Sequence, residues 1–208
     1  MKTIILDFGS GNTCKNKKDY AKKMLDIFRK VDSGKYKIII KWQLFQKAGD
    51  NIPLQKNIFK YAHQYANSLG YECTSSVFDI SSLTYLLEFN IPFVKIATNP
   101  KYDSLMKCVP KGMWIYKSIL HGLGYKNSAQ RILYMNCIPK YPAEKKDYID
   151  ILEYNKGRPY YISDHTDNFD IFKKYNPEIY ECHFKLKDST GLDAGSFART
   201  PKQLREIL

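Results

Sequence analysis

Short β-rich runs and amphipathic helical patterns alternate along the whole 208-residue chain. The strand-like runs lie at 3–8, 36–42, 72–76, 93–97, 113–117, 132–136, 160–163 and 179–184, with helical patterns between them. Parallel strands joined by helical crossovers satisfy this order as an open doubly wound sheet or as a closed (β/α)8 barrel. A barrel usually takes about 250 residues but is built from as few as about 200.

The loop after the first run favours the barrel. The sequence Gly9-Ser10-Gly11-Asn12 stops short of the GxGxxG pattern that follows the first strand of a dinucleotide-binding sheet. We therefore predict an α/β fold of one domain over residues 1–208, a compact (β/α)8 TIM barrel with trimmed helices. Its clearest helix covers 54–69 and ends at Gly70, whereas 121–125 is predicted to be a loop.

Composition excludes several classes of protein. The chain is 44% hydrophobic and 26% charged, which is typical of a globular domain, and no apolar run approaches the roughly 18 residues of a membrane span. Asp7 interrupts the short apolar start, so the first residues do not resemble a signal peptide. Five cysteines without a CxxC pair indicate reduced thiols, and a cytoplasmic protein is expected.

The net charge of +12 comes from 28 lysines and only 5 arginines. Proteins that recognise nucleic acids rely on arginine for bidentate contacts to phosphates and bases. The excess therefore favours a lysine-rich surface, with a smaller share of the lysines serving an anionic substrate. Binding to nucleic acid stays the minority interpretation.

Polar residues gather at the carboxyl ends of the predicted strands. They are Asp7, Lys41, Gln43, Ser76, Lys95, Thr98, Lys117, Tyr141, Ser163, His165, Glu181 and His183. Active sites of (β/α)8 barrels are assembled at this end, so the pattern predicts an enzyme. The strand period of two places Lys41 and Gln43 on one face with Trp42 turned away, and Glu181 with His183 while Cys182 points outward.

Two of the four histidines, His165 and His183, are 18 residues apart, about one strand-helix-strand unit. Adjacent parallel strands lie about 4.8 Å apart, so two inward imidazoles could hold one divalent metal ion, with water or substrate completing its shell. The alternative is that each is a hydrogen-bonded structural residue. His63, on the polar side of its helix, and His121, in a glycine-rich loop, are predicted to be non-catalytic.

Lys41 and Lys95 lie within otherwise apolar strands. A buried lysine needs an anion or loses its charge. One such lysine is best explained by an internal salt bridge, whereas two facing one site indicate a phosphate or carboxylate ligand.

Taken in order, these motifs resemble the catalytic barrel of the sialic acid synthases, N-acetylneuraminate synthase and its bacterial relatives. Ser163-Asp164-His165-Thr166 resembles the family's S-D-H-T, and Glu181-Cys182-His183-Phe184 resembles its E-[KR]-H-F. Residues 40–43 (IKWQ) are similar to V-K-F-Q and 74–79 (TSSVFD) to S-T-P-F-D. Residues 94–98 (VKIAT) and 137–142 (CIPKYP) are similar to K-I-x-S and C-x-S-x-Y-P.

The resemblance implies metal-dependent condensation of phosphoenolpyruvate with an N-acetylated aldose, commonly N-acetylmannosamine, and release of phosphate. By position, His165 and His183 would hold the divalent metal, usually Mn²⁺, with Mg²⁺ and Co²⁺ as alternatives. The residues implied to hold phosphoenolpyruvate are Lys41, Ser76, Lys95, Thr98 and Ser163, and those facing the sugar are Gln43, Tyr141 and Asp193. Asp7, counted with the catalytic residues, takes the place of the glutamate that usually ends the first strand.

The chain also departs from the family. The N-H-N-G after the first strand is replaced by 11–14 (GNTC), Asn99-Pro100 stand where a glutamate follows the fourth strand, and Pro139 replaces a polar residue. The synthases carry an antifreeze-like C-terminal domain that reaches a partner's site, and this sequence shows none. An inactive barrel that binds an anion or a sugar, or that needs a partner chain, is therefore the alternative. A homodimer is the assembly that the resemblance implies, without a membrane partner.

Overall fold

A computed structural model of the chain describes residues 1–47, 49–120 and 126–208. In these residues eight parallel strands close into a barrel: β1 (Thr3–Asp7), β2 (Lys37–Leu44), β3 (Glu72–Val77), β4 (Val94–Ile96), β5 (Ile115–Ile119), β7 (Ile132–Cys137), β8 (Tyr161–Asp164) and β9 (Ile179–His183). The ring runs β5-β4-β3-β2-β1-β9-β8-β7 and closes through pairing of β5 with β7. The short β6 (Lys126–Asn127) pairs antiparallel with β7. The predicted barrel is confirmed, and the open sheet is wrong.

The helices around the barrel are short, as predicted. They are α1 (Lys18–Arg29), α2 (Lys56–Ser68), α3 (Ile80–Leu86), α4 (Lys145–Tyr154), α5 (Asp170–Tyr175) and α6 (Pro201–Leu204). The connection after β4 is a 3-10 helix, Pro100–Cys108, capped by the Asn99 side chain, which accepts the Lys101 N–H at 3.0 Å. Trimmed helices of this kind allow 208 residues to complete the fold.

Alternation along the strands divides the buried apolar residues between two regions. Outward residues such as Phe8 and Trp42, whose rings lie 5.2 Å apart, pack against the helices. Inward residues close the amino-terminal half of the barrel, and these are Ile5, Ile39, Phe93, Leu133, Met135, Tyr161 and Ile179. Burial of each large apolar side chain contributes about 1.5–3 kcal/mol. The barrel interior is therefore filled by apolar side chains at its amino-terminal end and is polar only toward the carboxyl ends of the strands.

One placement differs from the sequence prediction, that of His63, and the structure also gives the face of Lys117, which the sequence had not assigned. His63 is buried rather than on a polar helix side, because its Nε2 meets the Asn90 carbonyl at 3.0 Å and its ring packs on Phe89. Lys117 points out of the barrel, where it pairs with Asp103 at 2.6 Å and donates to the Ala97 carbonyl. The predicted loop at 121–125, with His121, lies outside the described residues.

The described part of the chain contains no helix long and apolar enough to cross a membrane.

Candidate active site

One cavity of about 240 Å³ opens at the carboxyl ends of the strands. All eleven site residues predicted from the sequence line it: Asp7, Lys41, Gln43, Ser76, Lys95, Thr98, Tyr141, Ser163, His165, His183 and Asp193. The strand period of two explains much of this, since Asp7, Lys41, Lys95 and Ser163 each stand two positions above an apolar inward residue. The barrel register then brings residues distant in sequence to the same height.

Two buried lysines form the floor of this cavity. The Lys41 ammonium pairs with the Asp7 carboxylate and donates to Ser76 Oγ at 2.9 Å. The Lys95 ammonium pairs with Glu181 Oε2 at 3.0 Å, and Lys41 Nζ lies 3.9 Å from Oε1 of the same carboxylate. Two cations therefore converge on Glu181, which also accepts the Ser163 hydroxyl at 2.9 Å. Both lysines are thus in internal salt bridges, the alternative that the sequence left open.

The floor favours the ionised form of each of these groups. Burial alone would raise the pKa of Asp7, but the Lys41 ammonium and the His183 ring outweigh it and hold the pKa well below its usual range. Burial likewise opposes ionisation of Glu181, and Lys41 and Lys95 lower its pKa. Burial would lower the pKa of Lys41, but Asp7 and Glu181 raise it. The Lys41 ammonium and the Asp7 and Glu181 carboxylates are therefore charged at neutral pH.

The two histidines of the predicted metal pair meet at the side of the cavity, with ring centroids 5.3 Å apart. His165 Nδ1 lies 2.7 Å from the Ile138 carbonyl oxygen, which only accepts, so Nδ1 carries a proton. Burial would lower the pKa of His165, but the neighbouring Cys137 outweighs it and raises the pKa. His183 Nδ1 is buried with no hydrogen-bond partner among the described residues and lies 3.4 Å from Asp193 Oδ1. Burial lowers the pKa of His183 to about 3, so this imidazole is neutral.

These features fit a divalent metal ion in part. A metal-bound histidine usually donates its other ring N–H to a carbonyl or carboxylate, as His165 does, and ligating imidazoles are neutral. Rings 5.3 Å apart can each offer a nitrogen to one ion with bonds of about 2.1 Å. Within residues 1–47, 49–120 and 126–208, however, no group of three or more His, Cys, Asp or Glu side chains is arranged to hold a metal. The remaining ligands would have to be water or substrate.

The outer part of the cavity is built from Gln43, Asp193 and Tyr141. Gln43 Nε2 donates to Asp7 Oδ2 at 2.9 Å and to Asp193 Oδ1 at 2.8 Å, joining the floor to the loop after β9. Burial and the Asp7 charge raise the pKa of Asp193 to about 7. The Tyr141 ring packs 4.4 Å from the His165 ring, and the residue is 42% exposed at the mouth.

Three further residues of the cavity were not in the predicted set. Glu181 was recognised as inward-facing but was given no role, although it joins both lysines. Ser118 and Cys137 line the cavity as well, and Cys137 Sγ lies 3.9 Å from His165 Nδ1. Burial raises the pKa of this thiol, but His165 outweighs it and brings the pKa to about 7. The alternation from Tyr116 and from Met135 was the sequence signal that could have found Ser118 and Cys137.

Comparison with known families agrees with this geometry. The model of the NeuB family matches residues 27–208. The chain belongs to the NeuB family. No curated protein matches the sequence significantly.

Solved structures share the fold of this NeuB-family barrel across 99% of its length. An N-acetylneuraminic acid (sialic acid) synthetase from Leptospira borgpetersenii, in complex with citrate, is 19% identical with a TM-score of 0.76, and 80% of that chain is covered. Spore coat polysaccharide biosynthesis protein spsE from Bacillus subtilis is 20% identical with a TM-score of 0.74, and only 65% of that chain is covered. A truncated 3-deoxy-D-arabino-heptulosonate 7-phosphate synthase from Thermotoga maritima is 9% identical with a TM-score of 0.63, and 83% is covered. Identities this low show the fold alone.

Proposed function

We propose that this NeuB-family barrel condenses phosphoenolpyruvate with an N-acetylated aldose, such as N-acetylmannosamine, to a nonulosonic acid and releases phosphate. One observation carries the proposal: two buried ammonium groups and two buried imidazoles, His165 and His183, line a single cavity. Family membership supports it, as does the name of the Leptospira structure with the same fold.

The floor is suited to an anion with both phosphate and carboxylate groups. Lys41 and Lys95 converge within 4 Å of one carboxylate, so a single small anion can reach both ammonium groups. Ser76, Thr98 and Ser163 add hydroxyl donors around the same space. Charge-assisted hydrogen bonds of this kind are about twice as strong as neutral ones, and rigid strands fix their directions. We assign phosphoenolpyruvate to this floor.

His165 and His183 would hold the divalent metal, with Mn²⁺ expected first and Mg²⁺ or Co²⁺ as alternatives. When bound, such an ion acts as a Lewis acid toward an aldehyde oxygen. The chain's own contribution is orientation: the Ile138 carbonyl fixes the tautomer of His165. Gln43, Tyr141 and Asp193 lie nearer the mouth, where they would contact the aldose.

In the balanced reaction, C3 of phosphoenolpyruvate forms a bond to the aldehyde carbon, whose oxygen takes a proton. Water supplies a hydroxyl group to C2 and the proton to the aldehyde oxygen. The bond between C2 and the phosphate oxygen then breaks as C2 becomes a ketone, and the hydroxyl proton leaves with the inorganic phosphate. Asp7 assists by holding Lys41 charged and by orienting the Gln43 amide, which bridges to Asp193. Each of these groups therefore acts by position and charge.

The test is release of phosphate from phosphoenolpyruvate with Mn²⁺ and a panel of N-acetylated aldoses. His183→Ala removes one imidazole of the pair, and His63→Ala, a buried histidine outside the cavity, is the matched control. We expect aldose-dependent release by the wild type and by His63→Ala, and loss with His183→Ala or with a chelator. Folded wild-type protein that releases no phosphate with any sugar would refute turnover by this chain alone.

A binding protein without turnover is the second candidate, and one observation favours it. Asn99 lines the cavity where the family resemblance implies a glutamate, and its side-chain oxygen is engaged as the cap of the 3-10 helix. An amide cannot transfer the proton that a carboxyl group would. Binding of phosphoenolpyruvate, measured by calorimetry in the absence of phosphate release, would support this candidate, as would activity that returns only with a partner chain.

A further inference from the structure

Arg199 is a fully buried arginine outside the cavity, in the segment between β9 and α6. Its guanidinium donates from Nη1 to the carbonyls of Thr166 and Phe197 and from Nη2 to the carbonyl of Asn168. It also pairs through Nη2 with Asp164 Oδ2 at 3.3 Å, where both side chains are completely buried. A buried charge needs hydrogen-bond partners, and apart from the Phe197 carbonyl the acceptors of Nη1 and Nη2 lie in one short segment, 164–168. Nε has no partner among the described residues.

That segment carries His165. Asp164, Thr166 and Asn168 surround it in sequence, and Arg199 contacts all three. The Asp164 carboxylate completes the link, since Oδ1 accepts the Thr166 N–H at 2.8 Å and Oδ2 accepts the Tyr180 hydroxyl at 2.6 Å. The backbone on both sides of His165 is therefore held by one guanidinium and its counter-ion.

The backbone of Arg199 holds the second histidine. The Arg199 N–H donates to the His183 carbonyl at 2.7 Å, and the Lys185 N–H donates to the Arg199 carbonyl at 3.0 Å. These bonds add residue 199 as a parallel bridge beside the end of β9, next to Phe184. One residue thus touches the backbone at both imidazoles without facing the cavity itself.

We propose that Arg199 is a positioning residue that fixes the rings of His165 and His183 relative to each other. The proposal deepens the proposed function and rests on it for the use of the pair as metal ligands. The fixing of the rings by Arg199 is a separate property and is measurable without metal. Lysine cannot replace this arginine, because a single ammonium lacks the planar fork that reaches three carbonyls and a carboxylate together.

The experiment uses ¹⁵N-labelled histidine, since the full chain has four histidines. Imidazole spectra of the metal-free protein report ring environment and tautomer. Arg199→Met removes the fork and the charge, Arg199→Lys keeps the charge opposite Asp164, and Arg205→Met is the control at an exposed arginine directly after α6. Thermal unfolding by circular dichroism establishes which variants are folded.

We expect the His165 signals to shift or split in both Arg199 variants, because the side-chain bonds to residues 164–168 are lost. The backbone bonds of residue 199 remain, so the His183 signals should shift through the contact between the two rings, with His63 unchanged and no effect of Arg205→Met. If Arg199→Met does not fold, Arg199→Lys gives the answer. A folded Arg199 variant whose His165 and His183 signals stay in place would overturn the proposal. Movement of His63 to the same extent would also overturn it, because general loosening would then explain the shifts.

A Mn²⁺ titration connects the positions of the rings to the site. Loss of a residue that orients metal ligands typically weakens metal affinity about 10–100-fold, and we expect this range for both Arg199 variants. Unchanged affinity would overturn a positioning role toward the metal. Wild-type protein that binds no Mn²⁺ would count against the proposed function, whereas the metal-free spectra would still decide whether Arg199 fixes the rings.

Discussion

Replacement of Lys95 by methionine tests whether the ion pairs of the cavity floor hold the barrel together. Lys95 and Glu181 are almost fully buried, and their charged atoms lie 3.0 Å apart. Methionine keeps the approximate length of the side chain but removes the ammonium. Glu181 then retains the Ser163 hydroxyl and the more distant Lys41, 3.9 Å away.

Loss of one partner from a buried pair costs about 3–5 kcal/mol, because the remaining charge stays buried without its counter-ion. The second contact from Lys41 places the expected loss for Lys95→Met toward 3 kcal/mol. A domain of 150–250 residues loses about 2–4 °C in melting temperature per kcal/mol, so a fall of roughly 6–12 °C is expected. Urea unfolding followed by circular dichroism measures the free energy directly.

The double variant Lys95→Met/Glu181→Gln provides the control. It removes both charges, and we expect it to be more stable than the single variant by about 1–2 kcal/mol, since no uncompensated carboxylate remains. A single variant that loses less than 1 kcal/mol, or a double variant less stable than the single one, would refute the assignment of stability to this pair.

Three further predictions concern other parts of the chain. Cys108 is exposed, whereas burial raises the pKa of Cys14 to about 11 and that of Cys182 to about 12. At pH 8 we expect Cys108 to react rapidly with a thiol reagent and Cys108→Ser to lose that fast phase; persistence of the phase would contradict this. Tyr148→Phe should cost about 1–3 kcal/mol in urea unfolding, because its hydroxyl donates to the Ser163 carbonyl at 2.8 Å and accepts the His165 N–H. Gly9→Ala should cost about 1–3 kcal/mol, since φ is +75° and the new Cβ would lie 2.8 Å from Asp193 Cβ; wild-type stability would show that the loop relaxes freely.

The barrel could be predicted because two features of the sequence, β-rich runs and the helical patterns between them, mark its strands. Each run is β-rich, and most runs are followed by a helical pattern of fitting length, which favours parallel pairing. Closure itself has no local signal: it depends on the β5 and β7 pairing across the intervening β6, which joins the ends of the sheet. The hydrophobic pattern also could not predict that the helix after β4 is a 3-10 helix, because Pro100 and the Asn99 cap decide its geometry.

The site was predictable to the extent that alternation decides which side of a strand a residue occupies. Lys41, Gln43 and His183 were placed correctly by this rule. Lys117 was predicted only to lie at the carboxyl end of its strand, and its parity with outward Ile115 puts it outside the barrel. The placement of His63 was wrong because histidine counts as polar in a helical pattern, whereas this imidazole is buried among aromatic rings. No pattern in the sequence indicated the contacts of Arg199, since Asp164 and Thr166 lie at the end of a different strand, β8.

The internal salt bridges of the floor do not argue against an anionic substrate. Lys41 and Lys95 with Asp7 and Glu181 carry no net charge together, and they hold the ammonium groups in place before any ligand arrives. Burial keeps His183 neutral, so a phosphate and a carboxylate entering this cavity would bring unbalanced negative charge into a low-dielectric space. A divalent cation at the two imidazoles would supply the missing positive charge. Because the two lysines share Glu181, the floor has no surplus positive charge of its own, and the proposed anionic substrate would need the cation that we propose for the histidine pair.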